Sequence, residues 1–217
     1  MYSQLTVAKL FDLSQTQAET LLNRFQYPWE ALPHIKEFIL ALGPSLPKDE
    51  YEEIKENVWA AKSAVIFPTA YLNGPVIIGK NTEVRHGAFI RGSALVGDSA
   101  VVGNSTELKN VILFDGVQTP HYNYVGDSIL GYKSHMGAGS ITCNYDGNYK
   151  YRTTVGDDAF IGCNTNLVAP VKVGDGAYTA AGSTITKDVP AQALGIARER
   201  QTNLEGWAEP KMEAYIA

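Results

Sequence analysis

Residues 76–108 read VIIGKNTEVRHGAFIRGSALVGDSAVVGNSTEL, and an aliphatic side chain returns there at every sixth position. The same period returns over residues 155–185. The recurring residues, called anchors below, are Ile78, Val84, Ile90, Val96, Val102 and Leu108, then Val155, Ile161, Leu167, Val173, Thr179 and Ile185. A small or short side chain stands two residues before each anchor, and glycine often follows it. This hexapeptide period predicts a parallel β-helix, in which three hexapeptides close a triangular coil and each anchor stacks on the residue 18 positions later.

The composition excludes several classes of partner. The chain has 217 residues and a formal net charge of −5, from 18 basic and 23 acidic residues, with no block of like charge. This balance predicts no nucleic-acid surface. No stretch approaches the ~18 apolar residues of a membrane span, and no basic segment with an apolar run opens the chain. Cys143 and Cys163 make no disulfide framework. We therefore expect a cytoplasmic protein that binds neither nucleic acid nor membrane.

The first 65 residues follow a helical period instead. Ser14 and Gln17 have the spacing of a capping box, and residues 35–42 carry an apolar stripe that ends at Gly43. Residues 49–57 predict a third, acidic helix. We interpret the stripes as core and expect the helices to cover the open N-terminal end of the coil, where backbone groups would otherwise be unpaired.

The sequence therefore predicts three units. Residues 1–65 form a small α-helical segment, residues 66–205 form the β-helix, and residues 206–217 form a tail. Only Trp207 and Tyr215 stand out in that tail.

The six-residue count fails between Leu108 and Val155, which are 47 residues apart. A break in a repeat indicates inserted loops, and loops on a rigid scaffold are where function concentrates. The interval includes PHYNY at residues 120–124 and HMGAGSITCNYDG at residues 135–147. These two stretches hold most of the polar and aromatic exceptions in the coil, so they are the candidate functional region.

Arg91 and Lys109 keep the register, and each follows an anchor at a position that is often glycine elsewhere. Because 18 residues separate them, they should stack on adjacent coils ~4.8 Å apart. Like charges so placed repel each other. The stacking therefore indicates an anion between them, such as a phosphate. The alternative is a pair of surface side chains that diverge into water.

His121 is a candidate catalytic residue, because it lies in the break and is flanked by Tyr122 and Tyr124. A lone histidine is otherwise a structural or solvent-exposed residue, and metal binding is the rival functional role. No two of the four histidines have the spacing of three to five residues that is common in metal sites. This spacing argues against a zinc enzyme of the carbonic anhydrase type, which also uses a hexapeptide coil.

The motifs in and after the break resemble one family closely. Residues 137–147 (GAGSITCNYDG) are the most specific, followed by LVAPV at 167–171, AAG at 180–182 and Arg198. These motifs resemble the acetyltransferase domain of the bifunctional bacterial N-acetylglucosamine-1-phosphate uridyltransferase/glucosamine-1-phosphate acetyltransferase. The resemblance covers roughly residues 75–207. It implies a left-handed parallel β-helix, a homotrimer with sites between subunits, and acetyl transfer from acetyl-CoA to glucosamine-1-phosphate without a metal.

The resemblance also implies a role for each matching residue. His121 matches the general base that takes a proton from the substrate amine. The residues that match the sugar-phosphate site are Arg91, Lys109, Tyr124, His135 and Lys150. The residues that match the acetyl-CoA site are Ala138, Asn144, Tyr145, Cys163, Ala181 and Arg198.

Three departures leave alternatives open. His135 replaces an asparagine that touches the sugar, so another acceptor sugar is possible, and Cys163 replaces a serine near the coenzyme. No glycine-rich uridyltransferase loop precedes the coil, so we expect no synthesis of the UDP-sugar itself. A non-catalytic coil that binds a sugar nucleotide or coenzyme A is the rival from another class, and Cys143 raises the alternative of a covalent acetyl-enzyme.

Overall fold

The computed structural model describes residues 5–207, in which a left-handed parallel β-helix of about eight turns carries a short helical segment along its side. This confirms the predicted fold class. The coil is a triangular prism, and its three faces are numbered below in the order in which the chain visits them. Tyr215 and most of the predicted tail lie outside the described residues.

Short parallel strands form the three faces. Face 1 contains β2 (Val58–Ala61), β5 (Val76–Ile78), β8 (Ala94–Val96), the second halves of β10 (Glu107–Leu113) and β12 (Tyr124–Leu130), β15 (Thr153–Val155) and β18 (Val171–Val173). Face 2 contains β3 (Val65–Ile66), β6 (Glu83–Val84), β9 (Val101–Asn104), β11 (Gln118–His121), β13 (His135–Met136), β16 (Phe160–Ile161), β19 (Tyr178–Thr179) and β21 (Leu194–Gly195). Face 3 contains β4 (Tyr71–Leu72), β7 (Phe89–Ile90), the first halves of β10 and β12, β14 (Ile141–Cys143), β17 (Asn166–Val168) and β20 (Thr184–Ile185).

The anchors form the interior of the prism. Ile78 pairs with Val96, and Ile90 pairs with Leu108, as the 18-residue stacking predicts. All twelve anchors are at most 4% exposed. Thr179, the one polar anchor, is satisfied because its hydroxyl accepts a hydrogen bond from the Gly162 N–H at 3.0 Å.

The break in the repeat has a simple geometric cause. Val96 stacks on Leu113 and Leu113 on Leu130, each 17 residues later, and Leu130 stacks on Val155, which is 25 residues later. Two coils therefore lack one residue and one coil has seven extra residues, all at the corner between faces 3 and 1. We call this corner the loop edge. Strands β10 and β12 bend round it at Asn110 and Asp127, whose backbones adopt left-handed φ values of 55° and 49°.

The N-terminal segment contains α1 (Val7–Leu10), α2 (Glu19–Leu22) and α3 (Ile35–Leu42), with 3₁₀ turns at Leu13–Gln15, Pro28–Glu30, Leu32–His34 and Gly43–Ser45. It packs along the side of face 1 and not over the end of the coil, so that expectation was wrong. Phe11 packs on Phe114 with ring centroids 4.8 Å apart, and the Asp115 N–H donates to the Gln15 carbonyl at 3.1 Å.

The outward side chains of face 1 explain this placement. The middle residue of each face 1 strand points away from the prism, and in four successive coils it is apolar and fully buried: Ile77, Leu95, Ile112 and Ile129. Such a column would leave an apolar stripe in water. The stripe of the helical segment covers it, and Leu21, Ile35 and Ile39 are buried in the same core, as predicted.

Two local expectations were wrong. Residues 49–57 form no helix, because β1 (Tyr51–Lys55) pairs antiparallel with β2 and closes the open end of the first coil. Ser14 and Gln17 form no capping box. Asp12 caps the 3₁₀ turn instead, since its carboxylate accepts the Ser14 N–H at 3.0 Å.

Parallel pairing starts at Val58, so strands of the coil precede residue 66, and the predicted unit boundaries stay predictions. Across residues 5–207 no helix has the length and apolar character needed to cross a membrane; the longest, α3, has eight residues.

Candidate active site

His121 lies at the end of β11, where the chain turns from face 2 to face 3. We call this corner the His121 edge. Its backbone is held on both sides, because its N–H donates to the Asn123 side-chain oxygen at 3.2 Å and its carbonyl accepts the Gly139 N–H at 3.0 Å. The Asn123 amide, 2% exposed, also donates to the Gly137 carbonyl at 2.8 Å. This buried amide fixes the turn and leaves the imidazole exposed to solvent.

A row of small side chains continues along the His121 edge. The Asn164 N–H donates to the Ala138 carbonyl, and the Gly182 N–H donates to the Cys163 carbonyl, so Ala138, Cys163 and Ala181 stack on successive coils below His121. With coils ~4.8 Å apart, the distance from His121 to Ala181 is ~14 Å. Arg198 lies past the lower end of the row, beside Gly182. The strip therefore offers small side chains along its length and a cation at one end, the combination that would suit an extended arm ending in a phosphate.

The two predicted phosphate-binding cations are on face 3, toward the loop edge, and both are paired. Arg91 donates to the Glu107 carboxylate at 2.8 Å, and this bond raises the pKa of Arg91. Lys109 contacts the Asp127 carboxylate at 2.9 Å. Since each cation has a carboxylate partner within the chain, their stacking alone does not require a bound anion. A phosphate role therefore rests on their common direction and on the family resemblance.

Asp127 links candidate site residues, and the sequence analysis missed it. It is 7% exposed and accepts hydrogen bonds from Lys109 and from the side-chain amides of Asn110 and Asn144, each amide at 2.7 Å. The signal was present in the sequence, since Asn110, Asp127 and Asn144 are spaced by 17 residues. A search at the 18-residue period could not find it.

Tyr124 stands between the two edges on face 3, opposite Glu107 on the coil above. A Cβ added to Gly126 would come within 2.6 Å of the Tyr124 hydroxyl and 2.9 Å of the Asn144 amide nitrogen. Glycine at position 126 is thus what lets the tyrosine hydroxyl and the Asn144 amide approach each other. This brings together a predicted sugar contact and a predicted coenzyme contact.

The seven extra residues project from the loop edge. Asp146 orders the loop by accepting the backbone N–H groups of Asn148 at 2.8 Å and Tyr149 at 2.7 Å, and these bonds lower the pKa of its carboxyl group. Lys150 does not reach His121. It lines a cavity of about 350 Å³ between the loop, the coil and Trp29 of the N-terminal segment.

His135 lies on face 2 near His121. Its ring stacks on Phe160 with centroids 4.9 Å apart and an interplanar angle of 4°, and Gln118 is within 3.3 Å of its Nδ1. Burial, and then the charge of nearby His121, lower the pKa of His135. The imidazole is therefore a neutral, aromatic surface at pH 7, unlike the amide that the family has at this position.

Burial raises the pKa of the Cys143 thiol above its ordinary value, so it is protonated at neutral pH. A protonated thiol is a poor nucleophile. Cys163, in contrast, is exposed. Among residues 5–207, no three histidine, cysteine, aspartate or glutamate side chains group closely enough to hold a metal ion.

The structure thus divides the predicted site between two edges of one face. His121, Ala138, Cys163, Ala181 and Arg198 lie along the His121 edge. Arg91, Lys109, Asn144, Tyr145 and Lys150 lie along the loop edge. Within one chain, Lys150 is turned toward the N-terminal segment and away from the general-base candidate.

Stacked hexapeptides with polar edges of this kind define a hexapeptide-repeat coil. The family model described as bacterial transferase hexapeptide (six repeats) matches residues 152–187, and the model described as GMPPB C-terminal domain matches residues 72–145.

Individual relatives show a more specific similarity than the two family models do. Over 136 residues, or 63% of this chain, it is 54% identical to the bifunctional protein GlmU of Caldanaerobacter subterraneus subsp. tengcongensis, of which 30% is covered. Over 149 residues, or 69% of the chain, it is 48% identical to the bifunctional protein GlmU of Pseudomonas syringae pv. syringae, with 32% covered. The chain thus spans about a third of the length of the curated relatives it matches. The resemblance to the C-terminal acetyltransferase domain of GlmU is confirmed. Among solved structures, the polySia-specific acetyltransferase NeuO aligns with a TM-score of 0.45 and 16% identity, over 65% of this chain and 88% of that chain.

Proposed function

We propose that this chain is an acetyl-CoA-dependent N-acetyltransferase that acts on an amino sugar phosphate, with glucosamine-1-phosphate as the acceptor. One observation carries the proposal: His121 stands at the head of the small-residue row, and two cations lie across the same face. The row suits the extended arm of acetyl-CoA, with Arg198 placed for a phosphate at the far end. Arg91 and Lys109 suit the sugar phosphate. The similarity to GlmU supports both assignments.

The mechanism follows from these positions. The imidazole of His121 accepts a proton from the sugar ammonium as the amine attacks the thioester carbonyl carbon. General base catalysis of this kind contributes ~10²–10⁴ in rate. Backbone N–H groups at the edge stabilise the tetrahedral oxyanion, which collapses and expels the coenzyme A thiolate. Holding both substrates on one rigid scaffold supplies the remaining acceleration.

A homotrimer would complete the site. In one chain, the residues matched to coenzyme and sugar are divided between two edges, and Asn144, Tyr145 and Lys150 are separated from the His121 row. A second copy placed against face 3 would bring its loop edge to the His121 edge. Faces 2 and 3 also expose aromatic rings suited to association, among them Tyr71, Phe89 and Tyr178.

The first test measures thiol release from acetyl-CoA with glucosamine-1-phosphate, galactosamine-1-phosphate and free glucosamine as separate acceptors. Release with glucosamine-1-phosphate alone is the expected result. Release only with another acceptor would keep the acetyltransferase and change its substrate, and the His135–Phe160 stack favours that second candidate. Coenzyme A binding without turnover for any acceptor would support the non-catalytic coil.

Replacing His121 with alanine tests the general base. We expect transfer to fall by about 10²–10⁴-fold while the thermal midpoint stays unchanged, because the imidazole is exposed. His86→Ala is the matched control: this exposed histidine occupies the same edge two coils above, and its carbonyl accepts the Ser105 N–H. A His121→Ala variant that retains most of the activity would refute the role.

The proposal covers acetyl transfer only. That the chain has no uridyltransferase activity and that it is cytoplasmic stay predictions.

A further inference from the structure

A polar ladder runs through three successive coils at the loop edge. Asn110, Asp127 and Asn144 are each separated by 17 residues, so they stack only because the coils there are one residue short. Both asparagine amides donate to the central carboxylate at 2.7 Å. The shortened corner therefore places a buried aspartate between two side-chain amides.

Every acceptor position of that carboxylate is used. One oxygen accepts Lys109 Nζ at 3.0 Å and the Asn110 amide, and the other accepts Lys109 Nζ at 2.9 Å and the Asn144 amide. A carboxylate has about four lone-pair sites. Because the Asp127 side chain is only 10% exposed, water cannot replace these donors with hydrogen bonds of equal quality. These hydrogen bonds therefore select one rotamer of Lys109 and one rotamer of Asn144.

The two donors belong to different halves of the proposed site. Lys109 is the cation assigned to the acceptor phosphate, and an ammonium has three N–H donors, so one stays available while two face Asp127. Asn144 opens the loop and is assigned to the coenzyme. Arg91, the other cation, pairs with Glu107 and has no link to the ladder. This difference allows the ladder to be tested separately from phosphate binding.

We propose that Asp127 is a positioning residue that couples the acceptor subsite to the coenzyme subsite by holding Lys109 and Asn144 on one carboxylate. The role rests on the proposed function. It adds a residue to that site and a connection between its two substrates.

The test is a cross-effect between subsites. Lys109→Met and Arg91→Met should both raise the KM for glucosamine-1-phosphate. Only Lys109→Met should also weaken the binding of coenzyme A, because residues that share a partner show interaction energies. We expect the Kd for coenzyme A, measured by calorimetry without acceptor, to rise by about fivefold. Arg91→Met is the matched control and should leave the coenzyme Kd within a factor of two.

Asp127→Asn provides the second arm. The amide keeps the shape but replaces two acceptor sites with donors, so both KM values should rise by at least about fivefold with a smaller change in kcat. Asp115→Asn is the control for general damage, since Asp115 lies on another edge and accepts only a backbone N–H. If Asp127→Asn fails to fold, the Lys109 cross-effect decides alone.

Equal coenzyme Kd values for Lys109→Met and wild type, in a wild-type protein that transfers acetyl groups, would overturn the coupling and leave the function intact. A wild-type protein that neither binds coenzyme A nor transfers acetyl groups would overturn the proposed function, and the role of Asp127 with it.

Discussion

Replacing Asp157 with asparagine should stabilise the coil near neutral pH. Asp157 lies at the corner between faces 1 and 2, where its carboxylate accepts the Tyr132 N–H at 2.7 Å and its own N–H donates to Asp175 at 3.1 Å. Burial, and to a lesser degree the charge of Asp175, raise the pKa of Asp157 from 3.8 to about 6. An asparagine oxygen can still accept the Tyr132 N–H, so the substitution removes the charge and keeps the bond.

The magnitude follows from the linkage of protonation to folding. A folded-state pKa above the unfolded value means that the folded chain binds the proton more tightly, so this carboxyl favours folding below pH ~4. The contribution is lost as the pH rises from 4 through 6. A shift of this size corresponds to ~3 kcal/mol at full burial. Because the group is only half-buried, solvent screening reduces the expected gain in the variant to ~1 kcal/mol at pH 7.

Urea unfolding at pH 4.5, 6 and 8, at one protein concentration, measures the effect. The free energy of unfolding of Asp157→Asn should exceed that of wild type at pH 8 and approach it at pH 4.5. Asp49→Asn, an exposed aspartate with the same change of charge, is the control. A stability difference that is independent of pH, or a variant less stable than wild type at pH 8, would refute the reasoning.

Two further variants test the packing and the chemistry. Phe11→Ala should cost the N-terminal segment ~3 kcal/mol of docking free energy, because the contact with Phe114 is lost. Faster hydrogen exchange at the Asp115 amide would report this loss. The control, Leu40→Ala at an exposed position, should leave that amide protected. Cys143→Ser should keep kcat within about threefold, because its thiol is protonated at neutral pH; a loss above 100-fold, with an acetylated Cys143 in the wild-type mass spectrum, would instead establish a covalent intermediate.

The hexapeptide period was sufficient to predict the interior of the coil, because burial of each anchor depends only on its position within a hexapeptide. The same period could not locate the N-terminal segment. The location of that segment depends on the residue between each small position and its anchor. On one face alone, these residues form an apolar column of Ile77, Leu95, Ile112 and Ile129.

The remaining errors have tertiary causes. Residues 51–55 carry helix-forming glutamates, yet they pair with Val58–Ala61, because an unpaired edge of the first coil outweighs a weak helical preference. The Asp127 ladder escaped notice because its 17-residue spacing brings side chains together only where a corner is shortened. The positions of the shortened corners are known only from the folded coil.

All changes of coil length in this chain fall on the loop edge, so the anchors above and below stay in register whatever the segment there contains. Doubling the length of a flexible loop costs only ~0.6 kcal/mol in closure entropy. Longer peptides in place of the seven-residue insertion therefore cost little folding free energy. Under the proposed function, acceptor range can diverge by lengthening or replacing the peptide at residues 146–152, while the small-residue row and Tyr145, both proposed for the coenzyme, stay unchanged. Directed libraries aimed at new acceptors belong at those residues.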